Sequence, residues 1–189
     1  MPADVVVCAQ FRRYKTVSHH DYVEGMCFWS RNNHRRIVNY PKLHYDNGVR
    51  KHSPQRTKGW YKPMVRIFKN ARTYLVDQGT ISDDLAPSYF LECLLYNVPD
   101  DNFGGSLQDT FVAAFNWLWK AVKVDSLLCQ NRQLKLFGDT PELWDVAKAK
   151  QFLEALREPI PTGEGQPLAE FDHDLDFAQL RTNYTSAHK

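Results

Sequence analysis

Three groups of residues stand out, by type and spacing, as able to hold a phosphorylated ligand. Asp4 heads the β-branched run Val5-Val6-Val7. A carboxylate at the head of a strand projects from the sheet edge and suits a hard cation such as Mg²⁺ or Mn²⁺. Lys62, Arg66, Lys69 and Thr73, spaced four, three and four apart, fall on one helical face and concentrate positive charge suited to a triphosphate. Pro87-Ser88-Tyr89 reads as a helix start. There Ser88 offers a hydroxyl beside backbone N–H groups that lack helical partners, and Tyr89 offers a ring on which a base can stack. Taken singly, each has a plainer explanation: a turn aspartate, a solvated basic face, a core tyrosine.

The elements that must position these residues follow from periodicity. Val5 to Ala9 predicts a buried strand continuing through Phe11 toward Tyr14, with neighbours expected on both faces. Tyr22–Trp29 and Arg36–Tyr40 are two further strand candidates flanking a polar turn. Pro41 to Trp60 reads as irregular, with Asn47-Gly48 as a turn signal and Pro54 as a breaker. The period then changes to 3.6. A helix is predicted from about Tyr61 to Gly79, with Met64, Ile67, Phe68, Ala71, Tyr74 and Leu75 as its core face. A second begins at Pro87-Ser88-Tyr89 and ends near Asn97-Val98-Pro99. A third follows Gly104-Gly105 with Ser106 as N-cap and Asp109 three residues on, and a fourth starts at Thr140-Pro141-Glu142 and ends near Arg157. From Pro159 the chain is rich in Pro and Gly, then acidic, and reads as a loosely docked tail. The predicted class is α+β: an incomplete sheet of about three strands followed by a helical bundle. The predicted division is a sheet remnant over 1–56, a helical domain over 57–157 and a tail over 158–189.

Composition bounds the rest. At 189 residues with 43% hydrophobic content, the chain can bury a core without disulfides or a structural metal. No apolar run reaches the ~20 residues that span a bilayer, and the first residues carry no secretory pattern. The four cysteines, Cys8, Cys27, Cys93 and Cys129, form no C-x-x-C pair and read as buried or free thiols in a reducing cytoplasm. Net charge is only +2, yet residues 31–72 hold twelve cations and one acid, Asp46. Such asymmetry creates a local field able to gather polyanions. A sheet this small needs further strands or a covering helix. The expectation is therefore that the chain is the later part of a longer architecture, or that oligomer pairing supplies the cover.

With these residues in place, a family resemblance emerges. Tyr61-Lys62-Pro63-Met64-Val65-Arg66-Ile67-Phe68-Lys69-Asn70-Ala71-Arg72 resembles the spine helix of the DNA polymerase β-like nucleotidyltransferases, in particular the bacterial cyclic GMP–AMP synthase and oligoadenylate synthase-like enzymes of anti-phage signalling. Residues 87–99 resemble their next helix, and Ala3-Asp4-Val5-Val6-Val7 the strand of their third catalytic aspartate. The resemblance implies two-metal phosphoryl transfer, in which a ribose hydroxyl attacks the α-phosphate of an NTP and pyrophosphate leaves. It assigns Asp4 to metal binding and to activation of the hydroxyl, Lys69 and Ser88 to the triphosphate, and Tyr89 to the base. Lys62 and Arg66 match the basic face. The family's Gly-Ser loop and Asp-x-Asp pair precede the third aspartate, whereas only three residues precede Asp4 here. Gly104-Gly105-Ser106 and Asp172/Asp174 mimic those motifs in the wrong order, so the isolated chain is expected to be inactive or severely impaired.

Other patterns carry less. His19-His20-Asp21 has metal-like composition without ligand spacing, no G-x-S-x-G elbow exists, and the Trp117/Trp119 helix reads as bundle core. Two alternatives to an enzyme part remain at this level. One is a non-catalytic nucleotide- or RNA-binding module using the basic 31–72 segment; the other is a truncated reading frame without an independent role.

Overall fold

The computed structural model describes residues 7–17, 20–31, 34–121, 126–140 and 143–157. Asp4, His19 and the tail expected over 158–189 lie outside the described residues. Strands β1 (Ala9–Tyr14), β2 (Tyr22–Trp29) and β3 (Arg36–Asn39) form an antiparallel sheet in the order β1-β2-β3, with Phe11 opposite Gly25 and Cys27 opposite Val38. The helices α1 (Pro41–His52), α2 (Pro54–Thr57), α3 (Tyr61–Asp77), α4 (Ser88–Tyr96), α5 (Leu107–Ala121) and α6 (Val146–Arg157) follow. The α+β class is as predicted, β2, β3 and α3 lie within two residues of their predicted limits, and α4 starts where predicted and stops at Tyr96, just short of the predicted Asn97-Val98-Pro99 end.

The core is helical. Tyr61, Met64, Val65, Phe68, Ala71 and Leu75 of α3 are buried, and Ile67 and Tyr74 pack against them at the margin. Leu91, Leu94 and Leu95 of α4, Phe111, Phe115 and Leu118 of α5, and Phe152 and Leu153 of α6 complete it. Trp117 and Trp119 are part-buried against the same core, which makes them packing residues. Ser106 and Asp109 form a reciprocal cap at the start of α5. The Asp109 N–H donates to Ser106 Oγ at 3.0 Å and the Ser106 N–H to Asp109 Oδ2 at 3.2 Å.

Three expectations are corrected. First, the described part of the first strand is not buried: of Ala9–Tyr14 only Phe11 is partly covered, and Val7 is 89% exposed. Among the described residues β1 has a hydrogen-bonded neighbour on one side only, and it is covered by contacts such as Phe11 against Tyr40, 6.2 Å between ring centres.

Second, Pro41–Thr57 is helical rather than irregular. Pro41 sits in the first turn of α1, where its missing N–H costs nothing. Asn47 and Gly48 are buried inside α1 and serve packing, not a turn. Asn47 Nδ2 donates to the Gln130 carbonyl at 2.8 Å, and a Cβ on Gly48 would lie 2.5 Å from Gln130 Nε2.

Third, α6 begins at Val146, not at Thr140, and is capped by Asp145 Oδ1, which accepts from the Ala147 N–H at 2.6 Å. The buried Trp144 holds the preceding segment out of the helix. Its indole N–H donates to the Leu85 carbonyl at 3.0 Å, its amide donates to Leu136 at 2.9 Å, and its ring stacks on Phe90.

All four cysteines are free, with Cys27, Cys93 and Cys129 buried and Cys8 exposed. No helix among the described residues is long and apolar enough to cross a membrane.

Candidate functional site

The site is built where α1, α3 and α4 meet. Lys69 lies midway along α3 on the edge of its apolar face, and its ammonium sits 3.1 Å from Glu92 Oε2 on α4. The other carboxylate oxygen of Glu92 faces His44 Nε2 of α1 at 3.5 Å. The His44 ring stacks on Tyr89, with 5.2 Å between centres and 21° between planes. Two of the residues proposed from sequence, Lys69 and Tyr89, are thereby linked through two that sequence reasoning missed, Glu92 and His44.

Electrostatics follow from this arrangement. The Glu92 carboxyl is held down to about 2, first by the hydrogen bond from His44 and then by Lys69, against the opposing effect of burial. Glu92 is therefore ionised throughout the working pH range. Burial pushes the Tyr89 hydroxyl well above its usual value, so it stays protonated, and Asn131 Nδ2 approaches its oxygen at 3.4 Å. His44 Nδ1 is buried without a hydrogen-bond partner among the described residues.

The backbone beneath His44 is pinned. Gln130, fully buried, donates from Nε2 to the His44 carbonyl at 2.7 Å and accepts at Oε1 from the Tyr61 hydroxyl, which also lies 3.0 Å from the Glu92 carbonyl. The 126–140 segment thus fixes α1, α3 and α4 relative to one another.

The remaining predicted residues are distributed around this cluster. Ser88 is exposed at the first turn of α4, and Pro87 at the N-cap of that helix provides no side-chain cap. Lys62 and Arg66 are exposed on the stripe of Lys69, toward the end of α1. Burial first, and then these two cations, keep the His52 imidazole below its usual value. A metal site is not completed by what is described. No group of three or more His, Cys, Asp or Glu side chains among the described residues could hold an ion.

The basic segment is less available than its composition suggests. Lys51, one of the twelve cations counted in that segment, is 2% exposed, lies 2.8 Å from Asp100 and donates to the Val98 carbonyl. Lys42, Arg56 and Lys69 pair with Glu24, Asp100 and Glu92, all acids from outside the segment. The run counted as twelve cations and one acid is therefore partly neutralised by the fold.

Residues 46–160 match the model of the cGAS/DncV-like nucleotidyltransferase C-terminal helical domain. The chain belongs to this family. A cyclic UMP-AMP synthase from Rhodothermus marinus is 54% identical over 168 residues, 88% of this chain and 57% of that protein. A cyclic nucleotide synthase, CdnE01, from Staphylococcus haemolyticus is 38% identical over 161 residues, 80% of this chain and 52% of its own length. The solved structure of the Rhodothermus marinus CdnE c-UMP-AMP synthase with Apcpp and Upnpp gives a TM-score of 0.77 at 55% identity, covering 82% of this chain and 53% of that one. That of the Elizabethkingia meningoseptica CdnE cyclic dinucleotide synthase with GTP and Apcpp gives 0.70 at 32% identity, over 81% of this chain and 55% of its own. The chain spans about half the length of the curated relatives it matches.

Proposed function

We propose that this chain is the nucleotide-holding C-terminal part of a nucleotidyltransferase that joins NTPs into cyclic or linear oligonucleotide messengers in anti-phage signalling. The observation that carries the reading is the Lys69–Glu92–His44–Tyr89 cluster: a part-exposed ammonium and an aromatic ring held in fixed relation on adjoining helices. Relatives named as cyclic nucleotide synthases, two of them solved with nucleotides or their analogues, support it.

In this reading Lys69 binds the triphosphate as a point charge, and Ser88 adds a hydroxyl beside the first N–H groups of α4. Tyr89 stacks the base. Lys62 and Arg66 raise the local potential and draw the NTP in. Asp4 would be the one carboxylate of this chain that holds Mg²⁺ or Mn²⁺, which when bound supplies screening of the triphosphate charge. With one such carboxylate, the 189-residue chain alone binds NTPs without turning them over.

Two measurements test this. Lys69→Ala should weaken NTP binding to the chain by at least about tenfold, the loss of one charge-assisted contact. Unchanged affinity would remove Lys69 from the site. Release of product from an α-labelled NTP by the purified chain would overturn the proposed dependence on further carboxylates. The alternative of a nucleic-acid module on residues 31–72 is favoured less, because Lys51 is buried and Lys42 and Arg56 are already paired. A steep fall of RNA affinity with salt would restore it.

A further inference from the structure

We propose that Glu92 is the resident anion of Lys69 and sets which phosphate chains the site accepts, with His44 taking over the carboxylate when Lys69 turns to a ligand. The proposal rests on the reading of Lys69 as a triphosphate-holding residue and adds a determinant of selectivity to it.

The geometry supplies the competition. Glu92 Oε2, 3.1 Å from the Lys69 ammonium, stands where a phosphate oxygen would otherwise sit. An incoming anion must displace it. The displacement is feasible because the pair is part-exposed, 31% for Lys69 and 29% for Glu92, and ion pairs so close to solvent are weak. Inorganic phosphate and pyrophosphate carry less charge than a triphosphate, so Glu92 competes most effectively against the short chains.

The displaced carboxylate does not become an orphan. Its other oxygen already faces His44 Nε2 at 3.5 Å, so the imidazole stands ready to take up the carboxylate when Lys69 leaves. His44 cannot drift with it. Its carbonyl is held by Gln130 Nε2 at 2.7 Å, and α1 is tied again by Asn47 to the Gln130 carbonyl at 2.8 Å. The same His44 ring lies on Tyr89, so the side chain that receives Glu92 also touches the ring assigned to the base.

Two substitutions should therefore act in opposite directions, which a merely structural role would not produce. Glu92→Gln removes the competing charge and leaves Lys69 in place. His44→Ala leaves Glu92 with Lys69 as its main partner and strengthens the competition. The test is calorimetric titration of the 189-residue chain with tripolyphosphate, pyrophosphate and phosphate in metal-free buffer. Variants are Glu92→Gln, His44→Ala, His44→Gln, Lys69→Ala and Glu92→Gln/Lys69→Ala.

Glu92→Gln should tighten pyrophosphate about three- to tenfold and tripolyphosphate less, narrowing the preference between them, as expected for one competing charge near solvent. The gain should vanish in the Lys69→Ala background. His44→Ala should weaken tripolyphosphate several-fold, and His44→Gln, which keeps a donor, should restore it. If Glu92→Gln changes none of the affinities, or weakens them all while the chain keeps its far-UV spectrum and denaturation midpoint, the proposal is overturned. If Lys69→Ala itself leaves tripolyphosphate binding unaltered, the functional reading fails instead. Should His44→Ala not fold, the Glu92→Gln and double-variant arms decide alone.

Discussion

Replacing Gly48 by alanine tests whether α1 is held against the 126–140 segment as described. At a free site inside a helix, Gly→Ala stabilises by about 0.5–1 kcal/mol, because alanine has less backbone entropy to lose. Gly48 is not a free site. The added Cβ would lie 2.5 Å from Gln130 Nε2, roughly 1 Å inside ordinary van der Waals contact. Gln130 is 1% exposed and spans two partners, the His44 carbonyl and the Tyr61 hydroxyl, so its amide cannot swing aside without losing at least one of them. Each such buried hydrogen bond contributes about 1 kcal/mol, and an orphaned partner costs about 1–3 kcal/mol. These costs exceed the helical gain. Gly48→Ala should therefore destabilise by about 1–3 kcal/mol, a fall in Tm of roughly 2–12 °C for a chain of this size. Urea denaturation of the single variant, of Gln130→Ala and of the double variant supplies the measurement. In the Gln130→Ala background the clash is gone, and Gly48→Ala should turn stabilising by about 0.5–1 kcal/mol. A single variant as stable as the wild type, or more stable, would refute the packing argument, and so would a double variant that shows no reversal of sign.

Further outcomes follow from the same structure. Lys51→Ala should cost about 3 kcal/mol by denaturation, the low end for breaking a buried pair, because Asp100 keeps Arg56 at 2.6 Å. Lys51→Met, which fills the space between the rings of Tyr96 and Phe103, should cost less; equal losses would show that charge rather than packing matters there. Glu92, held at about 2 in the folded chain against an ordinary carboxylate value near 4.3, contributes stability that is fully present above that ordinary value. That stability is lost as pH falls toward 2. The stability difference between wild type and Glu92→Gln should accordingly shrink between pH 5 and pH 2.5, and a difference independent of pH would count against the held carboxylate. Ser106→Ala should lower stability by about 1 kcal/mol through loss of the α5 cap, whereas a change under 0.3 kcal/mol would mean that this helix end is held otherwise.

What the sequence determined by itself is local. The 3.6-residue spacing of Met64, Phe68, Ala71 and Leu75 places α3, the Ser106/Asp109 pair starts α5, and alternation across Tyr22–Trp29 and Arg36–Asn39 delimits two strands. These features depend on backbone periodicity and on side chains reaching one turn away, so neighbouring residues suffice to specify them. Lys69, Ser88 and Tyr89 stand out as candidates in the same local way, by spacing and by a family pattern.

The tertiary structure decided what depends on partners distant along the chain. Asn47-Gly48 carries the dipeptide signature of a turn, yet it lies within α1 because Gln130, more than eighty residues away, occupies the space beside it. Lys51 looks like one more solvated cation until Asp100 closes on it. The start of α6 is set by Trp144 reaching back to Leu85, which overrides the Thr140 signal. Glu92 and His44 carry no local mark at all. Only the packing of α1 and α4 beside α3 sets an imidazole and an ammonium on either side of one carboxylate, and charge matching across helices is invisible to a pattern read along the chain.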